Sequence, residues 1–224
     1  GVSAQPINIM ENPDIAPNAA RCRFRRIVVK VGSNVLTRAD GTLDTDRMAA
    51  LADQIAALHR AGVEVIVVSS GAVAAGRGVI AAARQLYSAV GQVKLIRRYY
   101  ELFDARGIVC GQVLTTKQDF ETRRHYLNQR NSIRVMLENG VVPILNENDT
   151  VAIDELELEI GENDSLSATV AAAVGADLLI ILSDINGLYS ADPRTDTNAQ
   201  VIREVRKIDA RIEQMAGGAR SALG

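Results

Sequence analysis

Cysteine is nearly absent from this chain: 224 residues hold only Cys22 and Cys110, far apart and in unlike contexts. That scarcity excludes a disulfide framework and a cysteine zinc site, and it suits a reducing cytoplasm. Histidine is equally sparse, and both His59 and His125 fall in helix-like stretches where a surface or hydrogen-bonded role is the ordinary one. Neither sign of charge dominates. With 25 basic and 27 acidic side chains the formal net charge is −2, so no nucleic-acid footprint is expected, and the short basic run from Arg21 to Arg26 reads as a solvated face. No apolar run approaches the roughly 20 residues that span a bilayer, and the N-terminus shows no apolar signal region. The expectation is a soluble, cytoplasmic protein with no membrane or nucleic-acid partner.

What is present is a regular alternation of strand-like and helix-like stretches from about residue 25 to about 190. Arg26 to Lys30, Val63 to Ser70, Ile108 to Leu114, Val141 to Leu145 and Asp177 to Leu182 are short, nearly continuous apolar runs. Such strands belong to a parallel sheet covered on both faces. Helices are predicted between them over 46–60, 84–105, 121–138 and 164–174. The first presents Met48, Leu51, Ile55 and Leu58 at helical spacing and stops at Gly62. The second is expected to turn Leu86, Val90, Val93, Ile96 and Tyr100 inward. Residues 151–160 alternate in the manner of a half-exposed hairpin. Hydrophobic residues make up 47% of the chain, enough for one α/β domain of this length. The first 24 residues read as a flexible extension.

Several of these strands end in polar residues. Val141-Val-Pro-Ile-Leu-Asn-Glu-Asn-Asp-Thr150 runs from an apolar strand into Asn146, Asn148 and Asp149, and Gly161-Glu-Asn-Asp-Ser165 follows soon after. In an open α/β sheet ligands bind outside the carboxyl ends of the strands, so these clusters sit where a small polar substrate would be held. Lys30 closes the first strand ahead of Gly32-Ser-Asn34, which can bring an ammonium and backbone N–H groups around phosphate oxygens. The loop is neither a Walker A nor a Gly-x-Gly-x-x-Gly sequence. Ser70, followed by the Gly71 and Ala72 amides, offers a second anion-holding turn. Ser183 and Asp184 begin a third strand-end loop, with Asp192-Pro-Arg194 as a turn beyond it.

Six segments then carry a resemblance: Lys30 to Thr37, Val67 to Gly76, Ala89-Val-Gly-Gln92, Asn146 to Val151, Glu162 to Ala168, and Leu182 to Arg194. In order from about residue 25 to the C-terminus, they resemble the glutamate 5-kinase (γ-glutamyl kinase) branch of the amino acid kinase family. The resemblance implies a three-layer αβα sandwich with a mainly parallel central sheet. It also implies ATP-dependent phosphorylation of the γ-carboxylate of L-glutamate, with magnesium, as the first step of proline biosynthesis. Proline as a feedback inhibitor and a dimeric or tetrameric assembly come with it. The alternatives are the kinase domain of a bifunctional pyrroline-5-carboxylate synthase and an amino-acid sensor without turnover.

Position by position, the resemblance makes Lys30 the contact to the transferring phosphate, with Gly32 and Ser33 beneath it, and Asp164 the aspartate that orients this lysine. Ser70, Asp149 and Asn163 match substrate-binding positions, and Ser183 and Asp184 match nucleotide-binding ones. No side chain is assigned as a metal ligand. The family continues past a segment like Gly217 to Gly224 into a loop with a second lysine on the nucleotide side, so residues 25–224 are expected to be a kinase domain lacking its C-terminal portion.

Overall fold

The computed structural model describes residues 23–77, 84–116, 118–151 and 162–217 of the chain. The expected extension up to residue 22 and the expected hairpin from residue 152 lie outside them.

Five strands form one sheet: β1 (Arg26–Val31), β2 (Glu64–Ser69), β3 (Cys110–Thr115), β4 (Val142–Glu147) and β5 (Leu178–Leu182), in the order β3-β4-β2-β1-β5. All four pairings are parallel. Their carboxyl ends therefore share one edge.

Alternation along the strands divides the core. Ile27, Val29, Val31, Val65, Val67, Val142 and Ile144 pack beneath α1 (Ser33–Leu36), α2 (Thr45–Arg60), α3 (Ala72–Arg77) and α4 (Arg84–Asp104). Val28, Ile66, Val68, Val113 and Leu145 face α6 (Arg123–Glu138) and α7 (Glu162–Val174) on the other side. This is a three-layer α/β sandwich, and its buried β-branched strands bear out the parallel-sheet expectation. The remaining helices, α5 (Gln118–Glu121) and α8 (Ala210–Gly217), are short. No helix among the described residues is long and apolar enough to cross a membrane.

Local signals set the helix ends. The Asp44 side chain caps α2 by accepting from Arg47 N at 3.1 Å, and Gly62 at φ +82 follows its end, a conformation that costs glycine little. Met48, Leu51, Ile55 and Leu58 are buried, as the spacing predicts. The helix expected over 121–138 is α6, which starts at Arg123 because Thr122 adopts an extended backbone and caps it by accepting from His125 N at 3.3 Å. His125 is exposed, and His59 is hydrogen-bonded through Nε2 to the Gly140 carbonyl at 3.1 Å.

The expected inner face of α4 is wrong. Leu86, Val93 and Tyr100 are 49%, 66% and 58% exposed, while Leu95, Tyr99, Leu102 and Phe103 enter the core and Val90 and Ile96 lie at the margin. The reason is a backbone contact that hydrophobicity does not reveal. A Cβ on Gly91 would stand 1.7 Å from the Ala72 carbonyl oxygen, and one on Gly76 would stand 1.9 Å from the Tyr87 carbonyl oxygen. The two glycines let α3 and α4 touch backbone to backbone. That contact turns Ser88, Gly91, Leu95 and Tyr99 inward and leaves Leu86, Val93 and Tyr100 outside.

Candidate functional site

Helices return from β1 and β2 on one face of the sheet and from β3 and β4 on the other, so neighbouring strands β2 and β4 send their chains to opposite sides. The gap between their carboxyl ends is the switch-point crevice where α/β sheets hold ligands.

Into this gap come the loop after β2 and the start of α7. Asn163 Nδ2 donates to Ser70 Oγ at 2.8 Å, to the Ser69 carbonyl at 2.9 Å and, at 3.4 Å, to Asn146 Oδ1. Asn163 Oδ1 is buried without a hydrogen-bond partner among the described residues. A buried acceptor left open is costly unless a ligand supplies the donor. Gly71, at φ +89, turns the chain immediately after Ser70 and leads into α3. Asp149 follows β4, and its Oδ2 accepts from Ser88 Oγ at 2.9 Å.

The next residue on α7 faces a different partner. Asp164 Oδ1 lies 2.5 Å from Lys30 Nζ, and the lysine side chain is 11% exposed against 52% for the carboxylate. Lys30 alternates with Val28 and so projects toward the α7 layer. A nearly buried ammonium requires an anionic partner. Consecutive residues of one helix thus touch Ser70 and Lys30, and the two polar centres abut.

A third group lies across β1. Gly32 N donates to the Leu182 carbonyl at 3.0 Å, which brings the loop after β1 against the end of β5. A Cβ on Gly32 would meet that carbonyl at 3.2 Å and Lys30 Nζ at 3.7 Å. Asn34 Nδ2 donates to Asp184 Oδ2 at 3.0 Å, and Ser183 Oγ donates to Asp184 Oδ1 at 3.2 Å. Ser33 opens α1, with its carbonyl taken by Thr37 N and Thr37 Oγ1. Asp192 forms a turn by accepting from Arg194 N at 2.9 Å and from its guanidinium. Those Arg194 bonds hold the Asp192 carboxyl below its usual range.

Every site residue expected from sequence therefore lies on the carboxyl edge of the sheet. Ser70, Asn163 and Asp149 gather at the β2–β4 gap, Lys30 and Asp164 form a pair beside it, and Gly32, Ser33, Ser183 and Asp184 lie between β1 and β5. Sequence reasoning assigned nothing to Ser88, Gln92 or Asn34. The resemblance carried the signal for two of them, since its Ala89-Val-Gly-Gln92 segment ends at Gln92 and its Lys30 to Thr37 segment includes Asn34.

The model of the amino acid kinase family matches residues 25–223. The chain belongs to the amino acid kinase family. It is 58% identical over 190 residues to the glutamate 5-kinase of Bacteroides thetaiotaomicron, covering 81% of this chain and 52% of that protein. It is 46% identical over 215 residues to the glutamate 5-kinase of Shewanella oneidensis, covering 92% and 57%. The glutamate 5-kinase of Dehalococcoides mccartyi strain 195 is 45% identical over 210 residues, covering 90% and 56%. The chain spans little more than half the length of these relatives.

Proposed function

We propose that residues 25–224 of this amino acid kinase family member form a kinase domain that transfers the γ-phosphoryl group of ATP to the γ-carboxylate of L-glutamate, giving L-glutamyl 5-phosphate for proline biosynthesis. The observation that carries this reading is the pair of adjacent α7 residues, Asn163 bonded to Ser70 and Asp164 bonded to Lys30. This supports a site in which the residues assigned to the acceptor and the cation assigned to the phosphate are held by adjacent positions of one helix. The names of the relatives support the choice of glutamate.

In this reading Asp149 meets the substrate ammonium, the open Asn163 Oδ1 takes a further donor, and Ser70 lies beside them. The acceptor carboxylate is already ionised at neutral pH, so no general base is needed. One γ-carboxylate oxygen attacks the γ-phosphorus, the bond to the β-phosphate oxygen breaks, and ADP leaves with those electrons. Two anions must approach each other, so catalysis rests on positioning and positive charge. Lys30 supplies that charge, held in place by Asp164. Gly32, Ser33, Ser183 and Asp184 flank the nucleotide.

Among the described residues no group of three His, Cys, Asp or Glu side chains converges to hold a metal. Magnesium fits this site as an ion bound by ATP oxygens and water, the ordinary preference of a small hard cation. It would neutralise phosphate charge. A cytoplasmic location, a homo-oligomer and restraint by proline belong to the same reading and rest on the family resemblance.

The test is ADP release, together with hydroxamate trapping of the acyl phosphate, in the presence of L-glutamate, L-aspartate or neither. Glutamate-dependent ADP and hydroxamate are expected. Glutamate binding without ADP would instead make the protein an amino-acid sensor, and ADP formation with aspartate alone would move the acceptor to a shorter dicarboxylate.

A further inference from the structure

Helix α4 reaches the β2–β4 gap from the side, and none of its residues figures in the reading above. Ser88 is buried and donates to Asp149 Oδ2 at 2.9 Å. One turn further, Gln92 Oε1 accepts from Asn146 Nδ2 at 2.7 Å. Asn146 is also buried, and its Oδ1 accepts from Glu147 N at 2.9 Å and from Asn163 Nδ2 at 3.4 Å. Residues four apart share a helix face. One turn of α4 therefore grips the end of β4 and the loop beyond it at two points. The Gly91 contact with Ala72 ties the same turn to the start of α3, directly after Ser70 and Gly71.

We infer that Ser88 and Gln92 are positioning residues for the amino-acid ligand, Ser88 by orienting the Asp149 carboxylate and Gln92 by orienting the Asn146 amide. This rests on the proposed reading of Asp149 and Asn163 as an amino-acid site. A hydroxyl bonded to a carboxylate makes a charge-assisted bond. A carboxylate offers about four acceptor positions, so acceptance from Ser88 leaves capacity for a substrate ammonium. Without that bond the carboxylate samples more rotamers, and ligand binding has to order it. Gln92 acts in parallel: with Nδ2 of Asn146 committed to α4, Oδ1 is turned toward Asn163. On helix propensity alone alanine is the better residue at position 88, so loss of the hydroxyl should spare the helix.

The test titrates L-glutamate, L-aspartate and L-glutamine by calorimetry into the wild-type chain and the variants Ser88→Ala, Ser88→Thr, Ser88→Cys and Gln92→Ala, with a thermal melt of each. Ser88→Ala is expected to weaken glutamate binding by up to about tenfold, the cost of ordering one freed side chain on binding, with a single cooperative melt retained. Ser88→Thr should return to within about threefold of wild type, and Ser88→Cys, a weaker donor, should fall between. Gln92→Ala should weaken binding by a similar factor. Wild-type affinity in Ser88→Ala, or equal losses in Ser88→Ala and Ser88→Thr, would overturn the inference. A wild type that binds another of these amino acids but not glutamate would overturn the glutamate reading alone, and the variants would then be judged on that ligand. If none of the three binds, both readings fall.

Discussion

Lys30 Nζ and Asp164 Oδ1 stand 2.5 Å apart, one side chain almost buried in the sheet and the other half exposed at the start of α7. The pair leaves the ammonium at the carboxyl edge of the sheet with its direction set by the Asp164 carboxylate.

Lys30→Met keeps a flexible apolar stem, in a side chain one atom shorter than that of lysine, and removes its charge. In the proposed reaction, loss of a preorganised cation beside the transferring group costs about 3 kcal/mol or more in the transition state. The turnover number should fall at least a hundredfold, while calorimetric binding of glutamate persists. Near-normal turnover would remove Lys30 from the mechanism.

Asp149→Ala should raise the glutamate KM far more than the ATP KM, because alanine cannot replace a carboxylate facing an ammonium. Asn163→Ala should act in the same direction but more mildly, since it removes neutral hydrogen bonds. Initial-rate measurements with each substrate varied would separate the two. Parallel rises in both KM values would point to a structural role.

Gly91→Ala should open the α3–α4 contact, because the new methyl carbon would meet the Ala72 carbonyl oxygen at 1.7 Å and the Gly76 nitrogen at 2.6 Å. Overpacking of this kind costs about 1–3 kcal/mol. Denaturant melts should show that loss, and amino-acid affinity should fall with it as Ser88 and Gln92 shift. A variant with wild-type stability would mean that the helices separate freely.

Tyr99 predicts the alkaline limb of stability. Its ring is fully buried against Phe103, and burial pushes the phenol from its ordinary 10.0 up to about 12, although a hydrogen bond with Ser69 opposes the shift. Between these values the unfolded chain has lost the phenol proton and the folded chain has kept it. Stability is therefore intact below pH 10 and declines by about 1.4 kcal/mol per pH unit as pH rises toward 12. Tyr99→Phe should flatten that decline in melts recorded from pH 9 to 12. An equally steep limb in the variant would assign it to other groups.

The sheet was legible in the sequence because covered parallel strands read as nearly continuous apolar runs, and the chain holds five, of which β1, β2 and β4 are buried along their length while β3 and β5 form the partly exposed edges. The strand-end residues Lys30, Ser70, Asp149, Ser183 and Asp184 were legible for a related reason, since parallel strands place all their carboxyl ends on one edge whatever their order. Strand order, and with it the gap between β2 and β4, was not: it depends on which face each connection crosses, a choice made by packing over distances that no local pattern records. The same holds for α4. Two apolar stripes share this helix, one with Leu86, Val93 and Tyr100 and one with Leu95, Tyr99, Leu102 and Phe103, and the backbone approach that Gly91 and Gly76 permit turned the second inward. Local sequence thus determined the elements and their polar ends, whereas only the tertiary structure decided that Asn163 meets Ser70, that Asp164 meets Lys30, and that Ser88 holds Asp149.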